Sequence, residues 1–233
     1  MHLFHCPDLA ADRVELPEEE AHHANAVLRL AVGAHIGLLD GAGTRAEGEV
    51  ENVTKRGCTV RVTARIHVPP ERAARIHLAV APTKQMDRIE WFVEKAVEIG
   101  VDRITPLLTD RTERDRLRID RLQRVAISAM KQSQRAWSPV IDALTPLPHF
   151  LAGELPAQRC FGWCEGEHAS LMARYDATQD VVLLIGPEGD FSAKEATTLR
   201  AAGFDAVSLG TARLRTETAA LAACTWMSLA QQR

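Results

Sequence analysis

The most informative segment of the sequence is VVLLIGPEGDFS, residues 181–192. Five consecutive apolar residues predict a buried strand, and the Gly-Pro-Glu-Gly turn that follows leads into a helix whose start carries the capping pair Ser192 and Glu195. Open α/β sheets bind ligands at such strand ends. The turn is neither a dinucleotide fingerprint nor a phosphate loop, because it lacks Gly-x-Gly-x-x-Gly and Gly-Lys-Ser/Thr. A plain strand-to-helix connection is the alternative interpretation.

A second glycine loop follows another short strand, at Ser208-Leu209-Gly210. It continues as TARLRTETAA, residues 211–220, with Thr216 in a position to cap the last helix. Arg215 and Glu217 are either a solvated pair at the helix start or groups of a site. Two such loops after two buried strands favour one shared pocket.

The chain from residue 75 onward alternates strands and helices. The spacing of apolar residues predicts strands at 76–81, 104–108, 160–164, 181–185 and 207–209, and helices at 87–99, 119–135, 193–202 and 217–231. Gly100 suits the end of the first of these helices. The fold class is therefore α/β, with a mostly parallel sheet covered by helices. Residues 139–156, which contain four prolines, are expected to be irregular.

The first 70 residues have a different pattern, with short alternating stretches separated by glycines. This pattern is typical of a small β-barrel, interrupted by one helix predicted at 18–30. Pro69-Pro70 ends the β region. We therefore expect two domains, at 1–70 and 71–233.

The charge is unevenly distributed along the 233 residues. The whole chain has a formal net charge of −3, but residues 111–135 hold 8 Lys and Arg against 3 Asp and Glu. Such a segment is either a solvated helix face or a surface that contacts phosphates. Lys84, which follows the strand at 76–81, is another candidate cation.

Several classes of protein are disfavoured. A hydrophobic content of 46% with 25% charged residues is ordinary for a globular protein. No apolar run exceeds six residues, too few for a membrane span, and the first residues do not resemble a secretory signal, so we expect a cytoplasmic protein. The five cysteines and nine histidines show no ligand spacing, so we expect reduced cysteines and no metal.

Short motifs distributed over nearly the whole chain resemble the RsmE family, the 16S ribosomal RNA uridine N3-methyltransferases of the SPOUT class. The matching residues are His23, Val27, Leu28 and Arg29; Leu39-Asp40-Gly41; Thr83, Lys84, Asp87 and Arg88; Glu98-Ile99-Gly100-Val101; Lys131-Gln132-Ser133; residues 185–189; Leu209-Gly210; and residues 214–219. Each motif is weak alone, but their order along the chain is specific. Asp190 departs from the pattern, because glycine is expected there.

The resemblance implies an N-terminal PUA-like barrel and a SPOUT domain with a C-terminal deep trefoil knot. It also implies S-adenosylmethionine as the cofactor, a homodimer, and 16S ribosomal RNA or the small ribosomal subunit as the substrate. The implied cofactor-binding residues are Leu183, Ile185, Gly186, Pro187, Glu188, Gly189, Leu209, Gly210, Leu214, Thr216, Thr218 and Ala219.

Methylation of uracil N3 requires loss of a proton from that nitrogen, which leaves negative charge on the ring. Arg215 is expected to stabilise this charge, and Glu217 to orient Arg215 or to accept the proton. The residues expected to bind RNA are Arg29, Lys84, Arg88, Arg111, Arg114, Gln132 and Arg135. The alternatives are a related enzyme that methylates another nucleotide, a non-catalytic RNA-binding assembly factor and, least favoured, a nucleotide-binding oxidoreductase.

Overall fold

The computed structural model describes residues 1–54 and 57–232. These residues form two compact units, one comprising Met1–Glu71 with Ile127–Ser138 and the other Arg72–Ala126 with Pro139–Arg233. Residues 127–138 belong to the first unit because they contact it directly: the Lys131 ammonium pairs with the Glu20 carboxylate, and the Trp137 indole donates to the Val68 carbonyl. Each of the two predicted domains, 1–70 and 71–233, is one continuous range, so the prediction did not include the return of residues 127–138 to the first unit.

The first unit is built on a five-stranded sheet in the order β1-β3-β4-β5-β2. The strands are β1 (Leu3–His5), β2 (Arg13–Glu15), β3 (His35–Leu39), β4 (Thr44–Val53) and β5 (Cys58–His67). Within this sheet β1 and β3 pair in parallel, and the other neighbours, β3 with β4, β4 with β5 and β5 with β2, pair antiparallel. The alternating apolar residues of these strands surround one core that includes Phe4, Ile36 and Leu38.

The helix predicted at 18–30 is shorter and partly irregular. Helix α1 (Glu18–His22) passes into one π-helical segment, His23–Val27. Ala21 is buried, whereas Val27 is exposed. The wider turn rotates the side chains that follow, and Arg29 ends the segment with a left-handed backbone, at φ 52°.

The second unit is built on a parallel sheet in the order β12-β10-β11-β6-β7-β8, and β9 also pairs with β7. The strands are β6 (Ile76–Val80), β7 (Arg103–Leu108), β8 (Val140–Ile141), β9 (Thr145–Pro146), β10 (Gln158–Gly162), β11 (Val181–Ile185) and β12 (Asp205–Val207). The helices are α2 (Met86–Ile99), α3 (Ile119–Gln132, which continues into the first unit), α4 (Leu147–Leu151), α5 (Leu171–Arg174), α6 (Ala193–Ala201) and α7 (Thr216–Ala230). The predicted α/β class is confirmed.

Several local predictions are confirmed. All five residues of β11 are buried, Gly100 ends α2 with a left-handed backbone, and Ser192 and Glu195 form the expected reciprocal cap of α6. One prediction was wrong: the proline-rich stretch 139–156 holds β8, β9 and α4. Its prolines lie at places that suit them, because Pro146 ends an edge strand and Pro148 lies in the first turn of a helix.

The end of the chain returns from an edge of the sheet to its middle. Strand β12 lies at the edge, beside β10, whereas α7 packs on α2, β6 and β11. The segment that joins them, residues 208–215, therefore passes the carboxyl ends of β10 and β11. This path brings the second glycine loop to the first.

Candidate functional site

The carboxyl ends of β10, β11 and β12 open into one cleft of about 1490 Å³ in the second unit. Three segments form most of its walls, residues 162–168, 185–191 and 207–216, and the lining is completed by Arg88, Arg111, Ala193 and Ala219. A pocket for one drug-sized ligand measures roughly 300–1,000 Å³. This cleft can therefore hold a ligand of that size together with part of a second molecule.

The glycine turn after β11 is held from two sides. Its backbone is tight, because a Cβ on Gly186 would lie 3.0 Å from the Phe191 nitrogen, and Gly189 has a φ of 89°. The Thr216 hydroxyl donates to the Gly186 carbonyl at 3.1 Å, and the Arg111 guanidinium donates to the carbonyls of Gly189 and Phe191. The turn is thus fixed in a shape that presents backbone groups to the cleft.

Most of the residues predicted to bind cofactor come together here. Those that line the cleft are Ile185, Gly186, Pro187, Glu188, Gly189, Leu209, Gly210, Leu214, Thr216 and Ala219. Leu183 is fully buried in the middle of β11, and Thr218 is exposed outside the lining. Leu183 lies two residues before the end of its strand, so it contributes to the core instead.

Thr216 does not cap the last helix as predicted. Arg215 occupies the N-cap position of α7 and makes no side-chain capping bond, while the Thr216 hydroxyl is bonded to Gly186. The hydroxyl therefore joins the two glycine loops.

Arg215 and Glu217 lie in different surroundings. Arg215 is exposed in the wall of the cleft, and within the described residues its guanidinium has no ion pair. The Glu217 side chain is buried, lines a separate apolar cavity beneath the cleft and lies 3.7 Å from Arg88 Nε. Arg88 also reaches Glu188 at 3.4 Å, so Arg88 and not Arg215 is the cation next to Glu217.

Many cations of the predicted RNA-binding set already have partners. The guanidinium of Arg114 donates to the Lys84 carbonyl, Lys84 pairs with Glu113 at 3.4 Å, and Arg135 pairs with Glu71 at 2.7 Å. Arg111 holds the glycine turn, as described above. Arg29 and Gln132 are exposed. Exposed ion pairs contribute little stability, so that of Lys84 can exchange for a phosphate, whereas the Arg135 side chain is mostly buried and Arg111 is committed to the cleft.

The segment 162–168, sequence GWCEGEH, is a wall that the sequence interpretation missed. It follows β10, which lies between the two strands that carry the glycine loops. Gly166 has a φ of 87°, and the Cys164 thiol is exposed. The pKa of this thiol is raised above its usual range, mainly by its partial burial and secondly by the nearby Asp190 carboxylate. Glycines after a third predicted strand were the available signal.

The described part of the chain shows neither a cluster of metal-ligating side chains nor an apolar helix of membrane length. Its His, Cys, Asp and Glu side chains form no group of three that could hold a metal ion. None of its helices combines the length and the apolar character needed to cross a bilayer.

Two family models match the chain. The model described as an RNA methyltransferase domain matches residues 70–228, and the model described as an RNA methyltransferase PUA domain matches residues 16–63. The first covers the parallel sheet with its cleft, and the second covers part of the five-stranded sheet.

Named relatives agree with these models over nearly the whole chain. A ribosomal RNA small subunit methyltransferase E from Mycobacterium bovis is 32% identical, over 93% of this chain and 86% of the relative. The crystal structure of a probable rRNA-methyltransferase from Porphyromonas gingivalis is 40% identical, with a TM-score of 0.91 over 100% of this chain and 99% of that one. A ribosomal RNA small subunit methyltransferase E from Neisseria gonorrhoeae, solved bound to S-adenosyl methionine, is 27% identical, with a TM-score of 0.89 over 99% of this chain and 98% of that one.

The predicted SPOUT-type fold with a PUA-like barrel is confirmed by these likenesses. With its cleft at the ends of β10, β11 and β12, the chain belongs to the family of ribosomal RNA small subunit methyltransferases E.

Proposed function

We propose that the protein transfers the methyl group of S-adenosylmethionine to N3 of one uridine in 16S ribosomal RNA. The observation that carries this proposal is the cleft itself, which combines two glycine loops with an exposed Arg215 in its wall that has no ion pair among the described residues. Membership of the methyltransferase family and the S-adenosyl methionine bound to the Neisseria gonorrhoeae relative give further support.

The residues of the cleft fit this cofactor. Ile185, Leu209 and Leu214 supply apolar surface for an adenine ring, and the glycine turns leave backbone N–H and C=O groups available to its polar edge. When bound, S-adenosylmethionine supplies an electrophilic methyl group on a positively charged sulfur. Thr216 and Arg111 keep the backbone groups in place before the cofactor enters.

Arg215 is the catalytic residue in this proposal. Uracil N3 carries a proton, and its loss spreads negative charge over the two neighbouring carbonyl oxygens. A guanidinium offers planar donors to such oxygens, and its charge favours the deprotonated ring in a site with little water. Because Arg215 has no ion-pair partner among the described residues, its donors are available to the substrate.

Glu217 enters the proposal as a positioning residue. Its carboxylate lies beneath the cleft, 3.7 Å from Arg88 Nε, rather than in the lining around Arg215. Through Arg88, which also reaches Glu188, it holds the start of α7 and the glycine turn together. The proton acceptor is therefore water or a group of the RNA rather than Glu217.

RNA binding is assigned to the exposed cations and polar groups of the two units. Arg29 and Gln132 in the first unit and Lys84 in the second are available to phosphates, and Arg135 and Arg114 become available when their present partners are displaced. Phosphate contacts make affinity strongly dependent on salt. The target base must leave its stack to enter the cleft.

We also propose that the protein acts as a homodimer in the cytoplasm, where ribosomal RNA is modified. Helix α7 supports the dimer, because apolar residues occur on its outer side as well as on the side that packs on α2. Leu221, Ala222 and Trp226 are half-buried in one chain and Leu229 is exposed. Covering this side with a second copy would remove apolar surface from water.

The decisive experiment supplies methyl-labelled S-adenosylmethionine with unmodified 16S RNA, either naked or within small ribosomal subunits. Nucleoside mass spectrometry and mapping identify the methylated position. Label in 3-methyluridine at one position supports the proposal. Label on a ribose 2′-oxygen or another base would instead show a related enzyme with a different target, and binding without transfer would show an assembly factor.

The Arg215→Ala substitution tests the catalytic assignment. We expect the single-turnover rate to fall by roughly 100-fold or more, as for loss of a donor that stabilises developing charge, with the Kd for S-adenosylmethionine nearly unchanged. Arg213→Ala is the matched control, because Arg213 is also exposed in the same wall. Equal rates for the two variants would refute the role of Arg215.

A further inference from the structure

Asp190, the residue at which this chain departs from the expected glycine, has a backbone that suits glycine. Its φ is 65°, in the left-handed region that L residues rarely adopt. The carboxylate compensates with two hydrogen bonds, because one oxygen accepts from its neighbour Phe191 N–H at 2.8 Å and the other accepts from Cys164 N–H at 2.8 Å. The first bond is local to the turn. The second reaches another wall of the cleft.

The bond to Cys164 joins two segments at the point where sheet pairing has ended. Strands β10 and β11 pair in parallel up to Phe161 and Leu184, and beyond these residues their chains separate to form the two walls at 162–168 and 185–191. Asp190 connects the far end of one wall to the middle of the other. The side chain therefore acts as a cross-link between the two walls beyond the end of the ladder.

Other bonds hold the glycine turn on its remaining sides. Arg111 donates to the carbonyls of Gly189 and Phe191, and Thr216 donates to the carbonyl of Gly186. Each of these ties the turn to a segment other than 162–168. Among the described side chains, it is thus Asp190 that joins the glycine turn to the wall at 162–168 by a hydrogen bond.

We propose that Asp190 is a positioning residue that sets the width of the cleft between the wall at 162–168 and the glycine turn, and thereby raises affinity for S-adenosylmethionine. This rests on the proposed function of the cleft. A rigid cleft binds its ligand more tightly because less conformational freedom is lost on binding. The charge-assisted bond from Cys164 N–H to the Asp190 carboxylate supplies that rigidity.

Two substitutions at this position test the role of the carboxylate. Asp190→Gly suits the left-handed backbone but removes both acceptors, whereas Asp190→Asn tolerates that backbone and keeps one acceptor oxygen. We expect Asp190→Gly to raise the KM for S-adenosylmethionine about tenfold while kcat changes less than about twofold, the equivalent of one hydrogen bond to a charged group. Asp190→Asn can still accept from Cys164 N–H through its one oxygen, so it should recover part of the lost affinity. If Asp190→Gly kept the wild-type KM, the proposal would be overturned.

A measurement without RNA or turnover tests the same bond. Amide hydrogen exchange of the free protein should show faster exchange in peptides that contain Cys164 for Asp190→Gly, with exchange in β6 and β11 unchanged. Calorimetric titration with S-adenosylmethionine alone should show the same tenfold loss of affinity as the KM. If exchange at Cys164 were the same in Asp190→Gly and the wild type, the cross-link would be refuted. If the wild-type protein bound no S-adenosylmethionine, the proposed function would be refuted instead, and the exchange data would still report on the bond between Asp190 and Cys164.

Discussion

The hydrogen bond between Thr216 and Gly186 permits a quantitative test of how the two glycine loops are joined. The hydroxyl and the carbonyl are both buried, and they lie 3.1 Å apart although 30 residues separate them. Thr216→Val preserves the branched shape of the side chain while removing the donor. The Gly186 carbonyl is then left buried without that partner, which costs about 1–3 kcal/mol.

The loss should appear in the melting temperature. For a domain of 150–250 residues, 1 kcal/mol shifts Tm by about 2–4 °C, so a loss of about 2 kcal/mol lowers Tm by about 4–8 °C. Scanning calorimetry or circular dichroism measures this shift. The KM for S-adenosylmethionine should rise as well, because the turn loses one of its supports.

Thr225→Val provides the control within the same helix. The Thr225 hydroxyl donates to the carbonyl of Leu221, one turn earlier, and such bonds back to the helix backbone add little stability. We expect Thr225→Val to change Tm by less than about 2 °C. If the two valine variants had the same Tm, the bond between the loops would have no net energetic value and the reasoning would fail.

Two further predictions concern stability in each unit. Burial lowers the pKa of His77 to about 4, whereas the ring in the unfolded chain titrates near 6.5. The folded state therefore prefers the neutral ring. Protonation of His77 makes the free energy of unfolding fall by about 3 kcal/mol as the pH decreases from about 6.5 to about 4. His77→Gln should flatten that part of the pH dependence in urea unfolding, and an unchanged slope would contradict the assignment. In the first unit, Gly43 has a φ of 97°, and a Cβ on it would lie 2.4 Å from the Trp137 ring. Gly43→Ala should therefore destabilise the protein by at least about 1–3 kcal/mol and alter the fluorescence of Trp137. Gly203→Ala, at a φ of 81° with open space around the Cβ, measures the backbone cost alone; equal losses in the two variants would show that contact with Trp137 is unimportant.

Local patterns predicted the sheet and the glycine loops well, because their causes lie within a few residues. The apolar run 181–185 is buried whatever its neighbours are, and the cap formed by Ser192 and Glu195 needs only the four residues it spans. The same applies to Gly100, whose left-handed backbone ends α2.

Predictions that depended on distant partners were less complete. The basic helix looked available to phosphates, yet Arg121 pairs with Glu90 and Lys131 with Glu20, residues far away in the sequence. Glu217 looked like a partner of Arg215, but the direction of α7 turns it towards Arg88. Neighbours in sequence on a helix face different directions, so spacing alone could not decide between these pairings.

The strands β1 and β2 were missed for another reason. Each has three residues, too few to show an alternating pattern, and each exists because it pairs with a longer strand, β3 or β5. The wall at 162–168 was missed because its role depends on the strand order, which puts β10 between β11 and β12.

The pairing of β6 with β11 has a consequence for how the protein reaches its active form. Residues 76–80 and 181–185 form one continuous ladder in the middle of the sheet, although roughly a hundred residues separate them along the chain. Closing so long a loop is entropically unfavourable until the ladder exists, so this step is expected to be slow. The glycine turn begins at the residue after β11, and its shape depends on that ladder. Affinity for the methyl donor should therefore appear late in refolding, after most helices have formed. A ligand present during refolding would bind the last folding intermediates and the native protein, and would not direct the first steps of folding.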